Sequence, residues 1–235
     1  TYAIGQTVNY TLVVDVPDYP ENAVDKKFII ADYLSKGLTF NEGSVKIYNY
    51  DDSKEENKGT ELTDDFADYV FTDDKHPAEG NSPSFAKSFI GDYSILADKV
   101  IVEYSATVNE NAVVKETADT DNKLDNKVYL IYNNNPYTED GYREIPDKER
   151  VYTYGIQVTK TDNGEKKLPG AEFNLKQGED TLKFVKDGSV YRLPLTEEEA
   201  AEASETLVTD ANGLIMIKGL DLGTYTLVET KATDG

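Results

Sequence analysis

Cysteine and tryptophan are both absent from this 235-residue sequence, and methionine and histidine occur once each. Without cysteine there is no disulfide and no thiolate metal site. The single histidine, His76, argues against a histidine metal centre or a Ser-His-Asp triad; it lies in "DDKHPAEGNSPS", which reads as a solvated polar loop. Positive charge is scarce: 24 Lys and Arg stand against 45 Asp and Glu, a net charge of −21. A field of that sign repels nucleic acid and anionic membrane surfaces, so neither is expected as a partner. No stretch reads as a signal peptide or a membrane span. A start methionine is also missing and the end is an abrupt "TDG", so the sequence reads as a piece of a longer chain.

What is present points to strands. The chain is 38% hydrophobic with 17 Tyr, too apolar for an acidic disordered segment and suited to half-buried sheets. In "TVNYTLVVDVP", Val8, Tyr10, Leu12, Val14 and Val16 alternate with polar residues, the pattern of a strand with one buried face. "KKFIIADYLSKGLTF" places Phe28, Ile30, Asp32 and Leu34 on one face. "SVKIYNY", "KVIVEYSATV" and "NKVYLIYNNNP" read as further strands, the last with Asn126, Val128, Leu130 and Tyr132 together. "DYVFT" reads as a short strand, "SFAKSFIGDYSIL" is ambiguous, and "DDSKEENKGTELTDD" (51–65) reads as a charged loop.

From Asn133 to Arg150 aliphatics thin out and charge, Pro and Gly accumulate, which marks a boundary or linker. Beyond it come a strand, a turn at Asp162-Asn163-Gly164 and a second strand. One acidic helical segment, "LTEEEAAEASE", follows, and then two or three closing strands with turns at Ala211-Asn212-Gly213 and Leu222-Gly223. The expected fold is all-β: two tandem immunoglobulin-like β-sandwiches split near residue 151, with a short helical insertion in the second.

One pattern departs from ordinary strand design. Lys160 shares a face with Ile156 and Val158, Glu229 with Tyr225 and Leu227, Asp32 with Phe28 and Ile30, and Asn126 with Val128 and Leu130. Each taken alone suits a strand end turned outward by twist or a bulge, a snorkelling lysine, or a buried ion pair. Taken together they suit a chemical reading. A desolvated lysine loses its proton easily and a desolvated carboxyl keeps one. The carboxyl then polarises an amide, the amine attacks it as a nucleophile, ammonia leaves, and a Lys–Asn isopeptide bond remains. No cofactor and no metal are required. "DTDNKLDN" from Asp119 alternates acids, but Lys123 breaks the calcium-loop spacing, so it reads as a solvated turn.

The residues also carry a resemblance. "VTKTDNGEKKLPGAEFNLKQ" with "TDANGLIMIKGLDLGTYTLVETKATDG" resembles the CnaB-type domains of Gram-positive surface proteins. "YAIGQTVNYTLVVDVPDY", "FIIADYLSKGLTF", "VIVEYSATVNENAVV" and "DNKVYLIYNNNP" resemble the isopeptide-forming D2 (CnaA-like) domain of sortase-assembled pilins. The whole is similar to the middle and C-terminal part of a backbone (major) pilin. The resemblance implies a D2 domain over 1–150 and a CnaB domain over 151–235 lacking its last strand. It implies Lys160 as the crosslinking amine with Glu229 as its acid, and Asp32 as the acid for Asn126. The missing partners, an Asn for Lys160 and a Lys for Asn126, are expected outside these 235 residues. Asn174 has the wrong parity to serve, Asn212 sits in a turn, and Lys26 stands too far along its strand from Asp32, by about 20 Å.

The implied role is a structural shaft subunit of a covalently polymerised surface pilus, extracellular and cell-wall-anchored, joined to other pilin subunits through sortase-made linkages. It implies no enzymatic turnover beyond a single intramolecular bond-forming event. The alternative is the stalk or binding domain of an adhesin that recognises a host extracellular ligand, with 51–83 as the binding loop.

Overall fold

The structure, a computed structural model, describes residues 1–23, 25–71, 82–114, 126–132 and 151–233, and the backbone of 141–145. The first ten strands in chain order are β1 (Thr7–Asp15), β2 (Phe28–Tyr33), β3 (Leu38–Phe40), β4 (Lys46–Tyr50), β5 (Lys58–Glu61), β6 (Phe66–Asp68), β7 (Phe85–Phe89), β8 (Lys99–Val108), β9 (Lys127–Tyr132) and β10 (Gly141–Ile145). They form two sheets. One runs β1-β8-β4-β5, with β3 also on β8; the other runs β10-β9-β2-β7-β6.

β1 buries every second residue, as its alternation requires, and pairs antiparallel with β8 from Thr7↔Thr107 to Asp15↔Lys99. Val8, Leu12 and Val14 from β1 meet Phe28 and Ile30 from β2 and Val128 and Leu130 from β9 in one core between the sheets. Burying side chains of this size stabilises by about 1.5–3 kcal/mol each.

The second group is β11 (Tyr154–Thr159), β12 (Glu172–Gln177), β13 (Asp180–Thr181), β14 (Val185–Asp187), β15 (Val190–Arg192), the helix α1 (Glu197–Glu202), β16 (Leu207–Val208), β17 (Leu214–Leu220) and β18 (Tyr225–Lys231). One sheet runs β11-β17-β15-β14 and the other β13-β12-β16, with β18 on β12. A separate core of Phe173, Leu175, Phe184, Leu207, Ile215 and Ile217 lies between them. The helix expected in "LTEEEAAEASE" is α1. Thr196 caps it by accepting from the Glu199 N–H at 3.2 Å, a Thr-x-x-Glu start that satisfies an orphan donor of the first turn. The Glu199 carboxylate then grips the Arg192 guanidinium at 2.7 and 2.8 Å and accepts from the Leu195 N–H. The fold is all-β, as the alternation predicts.

Local readings fared unevenly. The charged run 51–65 contains a strand, β5, whose charges face solvent in ion pairs: Lys46 with Glu61, and Lys58 with Glu56 and Glu103. The short strand read at "DYVFT" lies earlier, at β6. The ambiguous "SFAKSFIGDYSIL" opens with β7 and closes in a one-turn 3-10 helix at Tyr93–Ile95, capped by Asp92. Gly141–Ile145, inside the proposed linker, is β10 on the edge of β9. Lys26, already too far along the chain to serve Asp32, places its ammonium 5.3 Å above the Tyr93 ring. His76, the Asp119 segment and the later part of the 51–83 region lie outside the described residues.

Residues 1–5 run between the two halves. Tyr2 N–H donates to Tyr152 O (2.9 Å), Ile4 N–H to Gly219 O (2.8 Å) and Gly5 N–H to Val108 O (2.8 Å). Gly219 has φ +79°, and a Cβ there would fall on the Ile4 side chain. Both the left-handed backbone and the contact favour glycine. Gly219→Ala is therefore expected to cost about 2–4 kcal/mol, read as a fall in the denaturation midpoint with the slope unchanged.

Candidate functional site

Two clusters of the unusual polar residues form, one in each half. Asp32 stands at the end of β2, opposite Val128 of β9, and its side chain is fully buried, 0% exposed. Asn126 immediately precedes β9 and is 4% exposed. Tyr104 reaches across from β8 in the facing sheet. Its hydroxyl donates to Asp32 Oδ2 at 2.6 Å. The Asn126 amide nitrogen donates to the same Oδ2 at 3.0 Å and to the Tyr104 oxygen at 2.8 Å. The three polar groups thus close a triangle inside an apolar core.

Packing fixes this geometry. The Tyr104 ring stacks on Tyr10 of β1, with centroids 4.8 Å apart and planes 8° from parallel, and meets Phe85 edge-on. Register sets the rest: Tyr10 and Tyr104 are directly paired in the β1–β8 ladder.

Burial pushes the Asp32 carboxyl up to about 7, with the Tyr104 and Asn126 hydrogen bonds pulling the other way. Near neutral pH this acid divides between its protonated and ionised forms. Tyr104 is held above the ordinary phenol range by burial and by the neighbouring Asp32 charge. Among the described residues the partners of Asp32 are a phenol and an amide, and no cation pairs with it there. Asp32 Oδ1 and Asn126 Oδ1 find no hydrogen-bond partner among the described residues. Buried polar atoms are rarely left so.

Sequence parity picked out Asp32 and Asn126 but missed Tyr104. The signal was available: Tyr104 interrupts the aliphatic stripe Val100, Val102, Ala106 and Val108, and a buried tyrosine hydroxyl needs a polar partner.

The second cluster is of a different kind. Lys160 follows β11 directly; its N–H donates to Gly213 O at 2.8 Å and its carbonyl accepts from the Leu168 N–H at 3.0 Å. Glu229 sits on β18 opposite Phe173 of β12. The Lys160 ammonium lies 2.9 Å from each Glu229 carboxylate oxygen. Lys160, just past β11, and Glu229 on β18 face each other from different sheets.

The expectation of a desolvated Glu229, drawn from its shared face with Tyr225 and Leu227, is corrected. The two side chains are 28% and 33% exposed, and Leu227 and Val228 beside Glu229 are exposed as well. The physical reason is that β18 pairs with β12 on one side only, so among the described residues its outer edge is uncovered. The asparagines already discounted stay apart from this pair. The Asn174 amide reaches the Glu205 carbonyl at 3.0 Å, and Asn212 lies in the turn closed by Asp210.

Among the described residues no group of three or more His, Asp or Glu is arranged to hold a metal ion, and no helix is long and apolar enough to cross a membrane.

Comparison with known proteins places this geometry in context. A family model for the prealbumin-like fold domain SpaA matches residues 154–235. The whole chain is 27% identical to the "Trypsin-resistant surface T6 protein" of Streptococcus pyogenes serotype M6, covering 40% of that protein's length. In fold it is similar to the T6 backbone pilin of serotype M6 Streptococcus pyogenes (TM-score 0.66, 24% identity, all of this chain and 45% of that one). It is similar too to a 35 kDa C-terminal fragment of the major pilin GBS80 of Streptococcus agalactiae (TM-score 0.63, 22% identity, all of this chain and 82% of that one). BcpA, the major pilin subunit of Bacillus cereus, shares the fold at TM-score 0.60 and 18% identity, over 98% of this chain and 55% of that one. Along its whole length, then, the chain is similar in sequence to a streptococcal surface protein and in fold to backbone pilins of Streptococcus and Bacillus.

Proposed function

We propose that this chain is part of the structural shaft subunit of a covalently polymerised, cell-wall-anchored surface pilus, and that each of two domains, 1–150 and 151–235, is braced by an autocatalytic Lys–Asn isopeptide bond. The observation that carries this reading is the Asp32–Tyr104–Asn126 triangle: a fully buried carboxyl whose partners are a phenol and an amide. A buried charge without a cation destabilises a fold, so its retention suits a chemical task better than a structural one.

In the first domain Asn126 is the electrophile and Asp32 relays a proton from the attacking amine to the leaving nitrogen, which its Oδ2 already faces at 3.0 Å. A neutral lysine amine, expected from a strand outside these residues, attacks Asn126 Cγ. In the second domain Lys160 is the nucleophile and Glu229 the acid. There the ion pair is a prepared, open state. A strand laid along the outer edge of β18 would bring an asparagine and desolvate both groups. Desolvation disfavours the charged forms, which moves the proton from Lys160 toward Glu229 and frees the amine to attack.

Such bonds suit a shaft. A covalent link closing a long loop lowers the entropy of the unfolded chain as a disulfide does, in a chain with no cysteine. Joining to further pilin subunits by sortase-made linkages belongs to the same reading. The deciding experiment is intact-protein mass on the chain extended through its natural flanking strands. The expected mass is two ammonia molecules below that of the sequence. A mass equal to the plain sequence sinks the proposal.

A further inference from the structure

The Tyr104 hydroxyl touches both the acid and the amide of the first site, yet the reading above gives it no task. Resting on that reading, we infer that Tyr104 is a catalytic residue of bond formation: its hydroxyl holds the leaving nitrogen of Asn126 against the proton-carrying oxygen of Asp32. The atoms argue for this directly. It is Asn126 Nδ2, not the carbonyl oxygen, that faces the triangle, 2.8 Å from the Tyr104 oxygen and 3.0 Å from Asp32 Oδ2. The Tyr104 hydrogen is committed to Oδ2, so its oxygen presents a lone pair to Nδ2. Nδ2 is therefore held by two acceptors at once, which leaves it little freedom to turn.

The lysine Nζ–Cγ bond forms while ionised Asp32 takes one of the two amine hydrogens onto Oδ2. In the tetrahedral intermediate Nδ2 is no longer conjugated and gains a basic lone pair. Asp32 returns the proton to Nδ2, already 3.0 Å away. The Cγ–Nδ2 bond breaks, and ammonia leaves with its two original hydrogens and the transferred one. The carbonyl reforms, and Asp32 ends ionised as it began. Without the Tyr104 oxygen the amide loses one of its two anchors and turns more readily about Cβ–Cγ, which carries Nδ2 away from the carboxyl that protonates it. Alignment of this kind governs rate. The same hydroxyl also stabilises the ionised form of Asp32 by donating to it, so its removal alters the pH at which the site works.

The test uses Tyr104→Phe, which keeps the ring on Tyr10, and Phe85→Leu, which loosens the packing around Tyr104 without removing its hydroxyl. Chains extended through the missing strands are kept in urea from synthesis and refolded across a pH series. Loss of ammonia from the first domain is followed by intact mass. The expected result is bond formation slowed by about tenfold or more in Tyr104→Phe, with its pH profile moved to higher pH. Phe85→Leu lowers stability and leaves the profile where it was. A Tyr104→Phe rate and profile equal to the parent overturn the inference and leave the isopeptide reading standing. A parent that never loses ammonia overturns both. The 235-residue Tyr104→Phe chain is checked for folding by circular dichroism; failure to fold there assigns Tyr104 a structural role and also overturns the inference.

Discussion

Replacing Asp32 by Asn is expected to stabilise the 235-residue chain by about 4 kcal/mol at pH 8, because the shift from 3.8 to about 7 corresponds to that much unfavourable burial of the charged form. The sign follows from proton counting. With the folded value above the unfolded one, the folded chain binds more protons between pH 4 and 7. Asp32 therefore costs nothing below the lower value, and stability falls as pH rises through that window until the carboxyl is fully ionised above pH 7. Glu199 runs the other way: Arg192 and the Leu195 N–H hold it down to about 2, so its contribution is present above pH 4 and lost as pH falls below it. Denaturation midpoints of the parent and Asp32→Asn across pH 3–9 separate the two. Their difference isolates Asp32, and a flat difference overturns the assignment of a strained acid. In a chain carrying the missing lysine, the same substitution abolishes the ammonia loss of the first domain. Stability gained and chemistry lost in one variant is the signature of a group kept for a reaction.

The second large effect concerns Lys160. In the 235-residue chain Lys160→Ala removes only a partly exposed ion pair, worth less than about 1 kcal/mol. In a chain that includes the strand after β18, the same substitution removes the proposed covalent brace and costs about 2–4 kcal/mol, by analogy with closing a loop by a disulfide. Glu229→Ala should match it in both forms, since a nucleophile without its acid forms no bond. Equal losses in the short and long chains would mean that Lys160 acts only as an ion-pair partner. Chemical denaturation of the parent, Lys160→Ala and Glu229→Ala in both lengths, with intact mass on the three long chains, decides it.

The strands of the first half were legible where one face is solvated. β1 is buried and exposed in strict alternation, so polarity reports orientation there. β2 hides this information, because both of its faces are covered. Ile29, Ala31 and Tyr33 join Ala86, Tyr129 and Ile131 in an outer cluster, with Tyr69 and Phe71 packed over it. β5 was illegible for the opposite reason: an edge strand held by Lys46, Lys58, Glu61 and Glu103 looks like any charged loop. Asp32 and Asn126 were found because parity puts them among residues that are unmistakably core. The same parity misjudged the depth of Glu229. Period two tells which face a residue shares, but not whether anything covers that face. Tyr104 was missed because a tyrosine among valines reads as packing, and only the facing sheet reveals what its hydroxyl meets.

The pairing of β1 with β8 has a mechanical consequence. All nine residues of β1 are in register with β8, from Thr7↔Thr107 to Asp15↔Lys99. Tension applied along the strand axis loads those rungs in shear, so they resist together, whereas tension applied across the ladder would peel them one at a time. Residues 1–5, tied to Tyr152, Gly219 and Val108, lead into the N-terminal end of β1 between the two halves. A pull entering there meets the junction first and the full length of the zipper next, before it reaches the β2 strand that carries Asp32.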